Sequence, residues 1–145
     1  YTMNTFFSPE EEQLIVQAIA KAELQTSGEI KLHVESRCWF SAMWRAKKLF
    51  ALLNLQDTAQ KNGVLIYIAI KSRKFAILGD AGINELVGQN FWNQTKEIMQ
   101  SEFRNGNFFA GAMKGIESAG EQLRHHFPFQ KNDTNELSND VSYGK

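Results

Sequence analysis

The seven residues Val64 to Ile70, VLIYIAI, are apolar almost without interruption and carry no charge. A run of this length reads as a strand covered on both faces, and so places the centre of a sheet rather than its rim. Asn62-Gly63 immediately before it can supply the positive backbone angles of a tight turn. Lys71 to Lys74 then return the chain into Phe75 to Gly79, which pairs with the first run as an antiparallel hairpin. Any fold for this chain has to be built around that pair.

What flanks the hairpin sets the fold class. Ser8-Pro9-Glu10-Glu11 opens a helix with a capping box, and Leu14, Ile15, Ala18, Ile19 and Ala22 follow at helical spacing. Thr26-Ser27-Gly28 ends that helix near residue 26, with a glycine suited to a left-handed cap. Glu29 to Glu35 alternates, with Ile30, Leu32 and Val34 on one face and Lys31, His33 and Glu35 on the other, so it reads as an outer strand with one wet side. Ser41 to Leu53 is helical, and strand, helix, strand makes a parallel crossover. Further helices are expected at 89–103 and 108–127, with Pro128 as a stop. The expectation is an α/β fold, a three-layer α/β/α sandwich with a mixed sheet of three or four strands and about four main helices. One domain, 6–128, is followed by a polar tail, 129–145, expected to be mobile or loosely docked.

Sixteen basic residues balance sixteen acidic ones, so no global field recruits nucleic acid, although a local patch remains open. No apolar run approaches the roughly 20 residues of a spanning helix. The lone Cys38 gives no internal disulfide, and the expectation is a cytoplasmic, monomeric domain.

Three groups of residues are candidates for chemistry. Asp80, Asn84 and Glu85 follow the hairpin, with Glu29 available from the neighbouring strand end, and oxygen ligands of this kind suit calcium or another divalent cation. The competing reading has Asp80 capping a short turn that begins near Gly82. Lys71, Arg73 and Lys74 sit in a hairpin turn and read as solvated surface, with Lys61 better placed for an anion. Trp39 and Phe40 lie in a loop entering a helix and read as the exposed part of a partner-binding surface, with Trp44 packed inward. His33 and the His125-His126 pair do not fall at metal-ligand spacing, and Cys38 lacks a local base.

The order of these elements, with KNGVLIYIAIKSRKFAILGDAGINE and later FRNGNFFAGAMKGIESAG, resembles the TPM domain family over about Phe6 to Phe127. The most specific pieces are Asn62-Gly63-Val64-Leu65, Gly82-Ile83 and Phe103-x-x-Gly106-x-Phe108-x-x-Gly111. The ending NDTNELSNDVSYG looks like that of a short, soluble bacterial branch. The resemblance implies an α/β sandwich in a family where some members bind calcium or act as acid phosphatases and others serve assembly of membrane complexes. It also implies acidic positions before the first helix, ahead of Asn-Gly and after the glycine loop. This chain has Thr2, Lys61 and Gly88-Gln89 there. The expected function is therefore a non-catalytic binding or scaffolding module with a protein partner and a calcium site. The alternative is a metal-dependent acid phosphatase acting on phosphomonoesters through Asp80 and Glu85.

Overall fold

The computed structural model describes residues 6–58, 60–129 and 139–144. Helix α1 (Pro9–Glu23) starts on the capping box, with Glu11 N–H donating to Ser8 Oγ at 3.1 Å and Ser8 N–H donating to Glu11 Oε1 at 3.0 Å. Strand β1 (Glu29–Glu35), helix α2 (Ala42–Leu52), strand β2 (Gly63–Ala69) and strand β3 (Lys74–Gly79) follow. Helix α3 (Ala81–Val87), a 3-10 turn (Gln89–Trp92), helices α4 (Asn93–Arg104) and α5 (Phe108–His126) and the short strand β4 (Ser142–Tyr143) complete the order. The sheet is mixed and runs β3-β2-β1-β4, with β1 parallel to β2 and β4, and β2 antiparallel to β3.

Both faces of β2 are buried, as its composition demands. Val64, Ile66 and Ile68 join Ile30, Leu32 and Val34 of β1 against Ile15 and Ile19 of α1, Met99 of α4 and Ile116 and Leu123 of α5. Leu65, Tyr67 and Ala69 face the other way, onto Ala46, Leu49 and Phe50 of α2. Helices thus cover the sheet on both sides, α2 alone on one and α1, α4 and α5 on the other. Among the described residues no helix is long and apolar enough to cross a membrane.

Several local expectations are corrected. Helix α1 stops at Glu23 because Thr26 is claimed by the far end of the chain: its hydroxyl donates to Phe127 O, and it bridges Pro128. Gly28 is not a left-handed cap. The left-handed residue before β2 is Lys61 (φ 53°), not Asn62 or Gly63. Helix α4 begins at Asn93 because residues 89–92 form the tighter 3-10 turn.

Strand β1 is not an outer strand. Residues 139–144 of the expected tail return to it: Gly144 N–H donates to Val34 O, Lys31 Nζ to Asp140 O and Tyr143 OH to Glu12 Oε2, each at 2.8 Å. Residues 130–138 and Lys145, and Thr2 at the other terminus, lie outside the described residues. Capped by β4 and packed under α2, the side of β1 expected to be wet is largely buried, with His33 and Glu35 each 3% exposed.

Candidate functional site

The two ends of the sheet carry different chemistry. At the amino ends of β1 and β2, Glu29 stands opposite Gly63 in register, and Asp80 N–H donates to Gly63 O at 2.9 Å. Asp80 is the N-cap of α3, its Oδ1 accepting from Ala81 N–H at 2.7 Å, while Oδ2 is buried with no partner. Asn84 ties α3 back to the strand, donating from Nδ2 to Gly79 O at 3.1 Å, and Glu85 is exposed. Glu29 is buried and hydrogen-bonded to Glu23, whose Oε2 also accepts from Ile30 N–H at 3.1 Å. Burial first, and then the hydrogen bond with Glu29, push the Glu23 carboxyl far above the usual carboxylate range. The pair therefore shares a proton at neutral pH and presents one negative charge rather than two.

The four residues expected to bind a cation are thus near one end of the sheet but are not drawn together as ligands. Among the described residues no three His, Cys, Asp or Glu side chains form a group able to hold a metal. A calcium ion takes six to eight oxygens, so this acidic set fits it poorly. Neutral oxygens are present, because Ser27 Oγ and Asn62 Oδ1 are, like Asp80 Oδ2, buried without a partner. Asn62 Nδ2 donates to Ser27 O at 3.2 Å, which sets those two residues side by side. Lys61 turns onto its own loop, donating from Nζ to Gln56 O at 2.8 Å.

The carboxyl ends of β1 and β2 hold a more developed arrangement. Glu35 accepts from Arg45 Nε at 3.0 Å and Nη2 at 3.1 Å, from Tyr67 OH at 2.5 Å and from His33 Nε2 at 3.1 Å. An ionised carboxylate only accepts, so Nε2 carries the imidazole hydrogen, and Nδ1 meets Ser142 Oγ at 2.8 Å. Burial alone would raise the Glu35 carboxyl, but the hydrogen bonds from His33, Arg45 and Tyr67 and the Arg45 charge outweigh it and hold it at about 2. Burial and the bond to Glu35 push the Tyr67 phenol well above its usual range.

Over this network lies the loop from β1 to α2, fastened to the β2–β3 turn. Lys71 N–H donates to Ser36 O at 2.7 Å, Cys38 N–H to Ser72 Oγ at 2.9 Å, and Lys74 Nζ to Cys38 O at 3.1 Å and Phe40 O at 2.9 Å. Lys74 is therefore structural rather than simply solvated. Together the loop, the turn and the start of α2 enclose an open cleft of about 760 Å³, lined by Arg37, Trp39, Phe40, Trp44, Arg45 and Lys71 among others. Trp39 is 77% exposed, Phe40 58% and Trp44 47%, so Trp44 joins the exposed rings instead of packing inward. Arg37 lies 5.7 Å over Trp39 and Lys48 5.2 Å over Trp44, with Phe40 tilted 4.8 Å from Trp44.

Sequence alone does not mark Glu35 and Arg45 as site residues. The signal was present as a glutamate on the polar face of a strand and an arginine on the helix that crosses over it, but nothing local says that the two meet.

The TPM domain model matches residues 1–122. The chain belongs to the TPM domain family. The TPM fold seen here is shared with the NMR structure of the BA42 protein from the psychrophilic bacterium Bizionia argentinensis, 43% identical, with 99% of each chain covered and a TM-score of 0.91. Two more distant NMR structures share the fold. The N-terminal domain of the cg2496 protein from Corynebacterium glutamicum is 13% identical, with 81% of this chain and 74% of that chain covered and a TM-score of 0.64. The N-terminal domain of a protein from P. gingivalis is 16% identical, with 88% and 84% covered and a TM-score of 0.68. No curated protein matches the chain.

Proposed function

We propose that this TPM domain is a non-catalytic binding module that engages a protein partner through the Trp39–Phe40 loop. The observation that carries the reading is the exposure of three aromatic rings around a cleft whose backbone is fastened by hydrogen bonds. The carboxyl ends of parallel strands are where open α/β sheets hold ligands. A loop pinned to its neighbour also loses little entropy on binding. Metal-dependent hydrolysis of a phosphomonoester asks for ligands, carboxylates above all, gathered around a cation. Here Glu29 shares a proton with Glu23, Asp80 caps a helix and Glu85 stands apart on the surface. The expected result for the paired substitution Trp39→Ser and Phe40→Ser is an unfolding free energy within about 0.5 kcal/mol of the parent, measured by urea denaturation. A loss above about 2 kcal/mol would make the rings part of the core and end this reading.

A second reading, a weak site for calcium or another divalent cation, is favoured by the buried oxygens of Ser27, Asn62 and Asp80 that lack partners. Such oxygens call for a water or a hard cation. Titrating metal-stripped protein with calcium, and with magnesium as control, should give saturable backbone amide shifts around Asn62 and Gly79 to Glu85 that Asp80→Ala abolishes. Unmoved signals would leave those oxygens to water.

A further inference from the structure

Half of the chain's sixteen cations, but only one of its sixteen acids (Asp57), lie between Ser36 and Gly79. The neutral total therefore conceals a basic stretch of chain. Arg37, Lys47, Lys48, Lys71 and Arg73 are exposed in that stretch, and Arg37 and Lys71 line the cleft described above. Glu35 also lines it, but its carboxylate already accepts from His33, Arg45 and Tyr67, so its charge is consumed internally. Arg45 spends Nε and one Nη2 hydrogen on Glu35, and its side chain is still 32% exposed. The remaining guanidinium donors belong to a side chain that lines the cleft and is fixed by its pair with Glu35, and such a group suits a carboxylate. The first turn of α2, capped by Ser41, adds its positive end beside them.

We infer that this cleft docks an acidic, extended peptide segment of a partner protein, with carboxylates on Arg37, Arg45 and Lys71 and apolar side chains on Phe40 and Trp44. This rests on the binding-module reading and gives its partner a chemistry. The positive cleft is complementary to acidic side chains. The occupant is a chain rather than a point ligand because the ladder Arg37–Trp39, Phe40–Trp44–Lys48 runs from the loop onto the second turn of α2. A peptide is favoured over an anionic bilayer because Arg45 is two-thirds covered and fixed to a buried carboxylate, where a side chain can reach and a plane of headgroups cannot.

The test uses a blocked synthetic peptide of alternating glutamate and leucine, its glutamine counterpart, and vesicles of phosphatidylserine and phosphatidylcholine, each titrated into the full chain and followed through backbone amide and indole NMR signals. The expected result is saturable shifts of Arg37 to Arg45 and Lys71 with the glutamate peptide, about tenfold weaker binding by the glutamine peptide, and a similar loss in the paired variant Arg37→Ala and Lys71→Ala. Binding should also weaken as salt is raised. Equal binding of both peptides, or no shifts with the glutamate peptide, would overturn the acidic partner while leaving the exposed aromatic surface in place. Vesicle binding that the peptide does not displace would overturn it in favour of a membrane. A large stability loss from the Trp39→Ser and Phe40→Ser pair would instead remove the reading beneath it.

Discussion

Replacing Glu35 by alanine is expected to lower the unfolding free energy by about 2–5 kcal/mol, from two buried donors deprived of their acceptor at about 1–3 kcal/mol each. The carboxylate is 3% exposed and serves four donors from His33, Arg45 and Tyr67. Without it the phenol of Tyr67, itself wholly buried, is left with only the Cys38 thiol, and the His33 ring edge loses its acceptor. Arg45 is partly exposed and recovers some solvation, so the loss comes chiefly from the two aromatic donors. Glu35→Gln should fall between, because the amide keeps one acceptor but turns an N–H toward other donors. The sign with pH follows from a folded value of about 2 against an ordinary 4.5. The stabilisation is fully present above 4.5 and is lost as pH falls through 4.5 toward 2. Urea denaturation of parent and Glu35→Ala at pH 7 and near pH 3 should show the gap narrowing in acid. A loss below about 1 kcal/mol at pH 7, or a gap that widens in acid, would mean the network is not the buried anchor described.

The same residue shows where sequence reading reaches its limit. The hairpin was legible because seven apolar residues between turn signals have few other uses, and the α1 start because a capping box is a local pattern. Alternation alone puts Glu35 on a wet face, because it reports only two faces and not what covers each. The covering comes from Ser142 and Tyr143, more than 100 residues away, and from α2 across the crossover. Asp80 admits two readings from its spacing, and only the position of the Ala81 amide shows that Oδ1 caps α3 while Oδ2 is left without a partner. Glu29 looked like a free ligand because its proton-sharing partner, Glu23, sits on a helix whose direction of approach no spacing reveals. The aromatic loop was visible as composition, and its chemistry was not. That depends on Lys71 and Arg45 arriving beside it from two other elements.

Gly82→Ala should be the other severe substitution, for a reason unrelated to charge. Gly82 N–H donates to Lys61 O at 2.9 Å, so the first turn of α3 lies directly on the loop before β2. A Cβ at Gly82 would stand 2.6 Å from Lys61 O and nearer still to Gln60 O. Both are backbone atoms and cannot rotate away as a side chain would. Relief requires α3 to lift, which breaks the Gly82–Lys61 bond, disturbs the left-handed Lys61 and moves the fully buried Ile83. Overpacking and one lost hydrogen bond together amount to about 2–4 kcal/mol. Gly106→Ala supplies the contrast, since Gly106 has φ 77° but nothing within 4 Å of an added Cβ. It should cost only the positive-φ strain, about 1–2 kcal/mol. If denaturation ranked Gly106→Ala as the more damaging, the close approach of α3 to residues 60–61 would be wrong. With the expected ranking, amide signals from Lys61 to Gly63 and Asp80 to Asn84 should shift together in Gly82→Ala, because one steric contact sets the spacing of both segments.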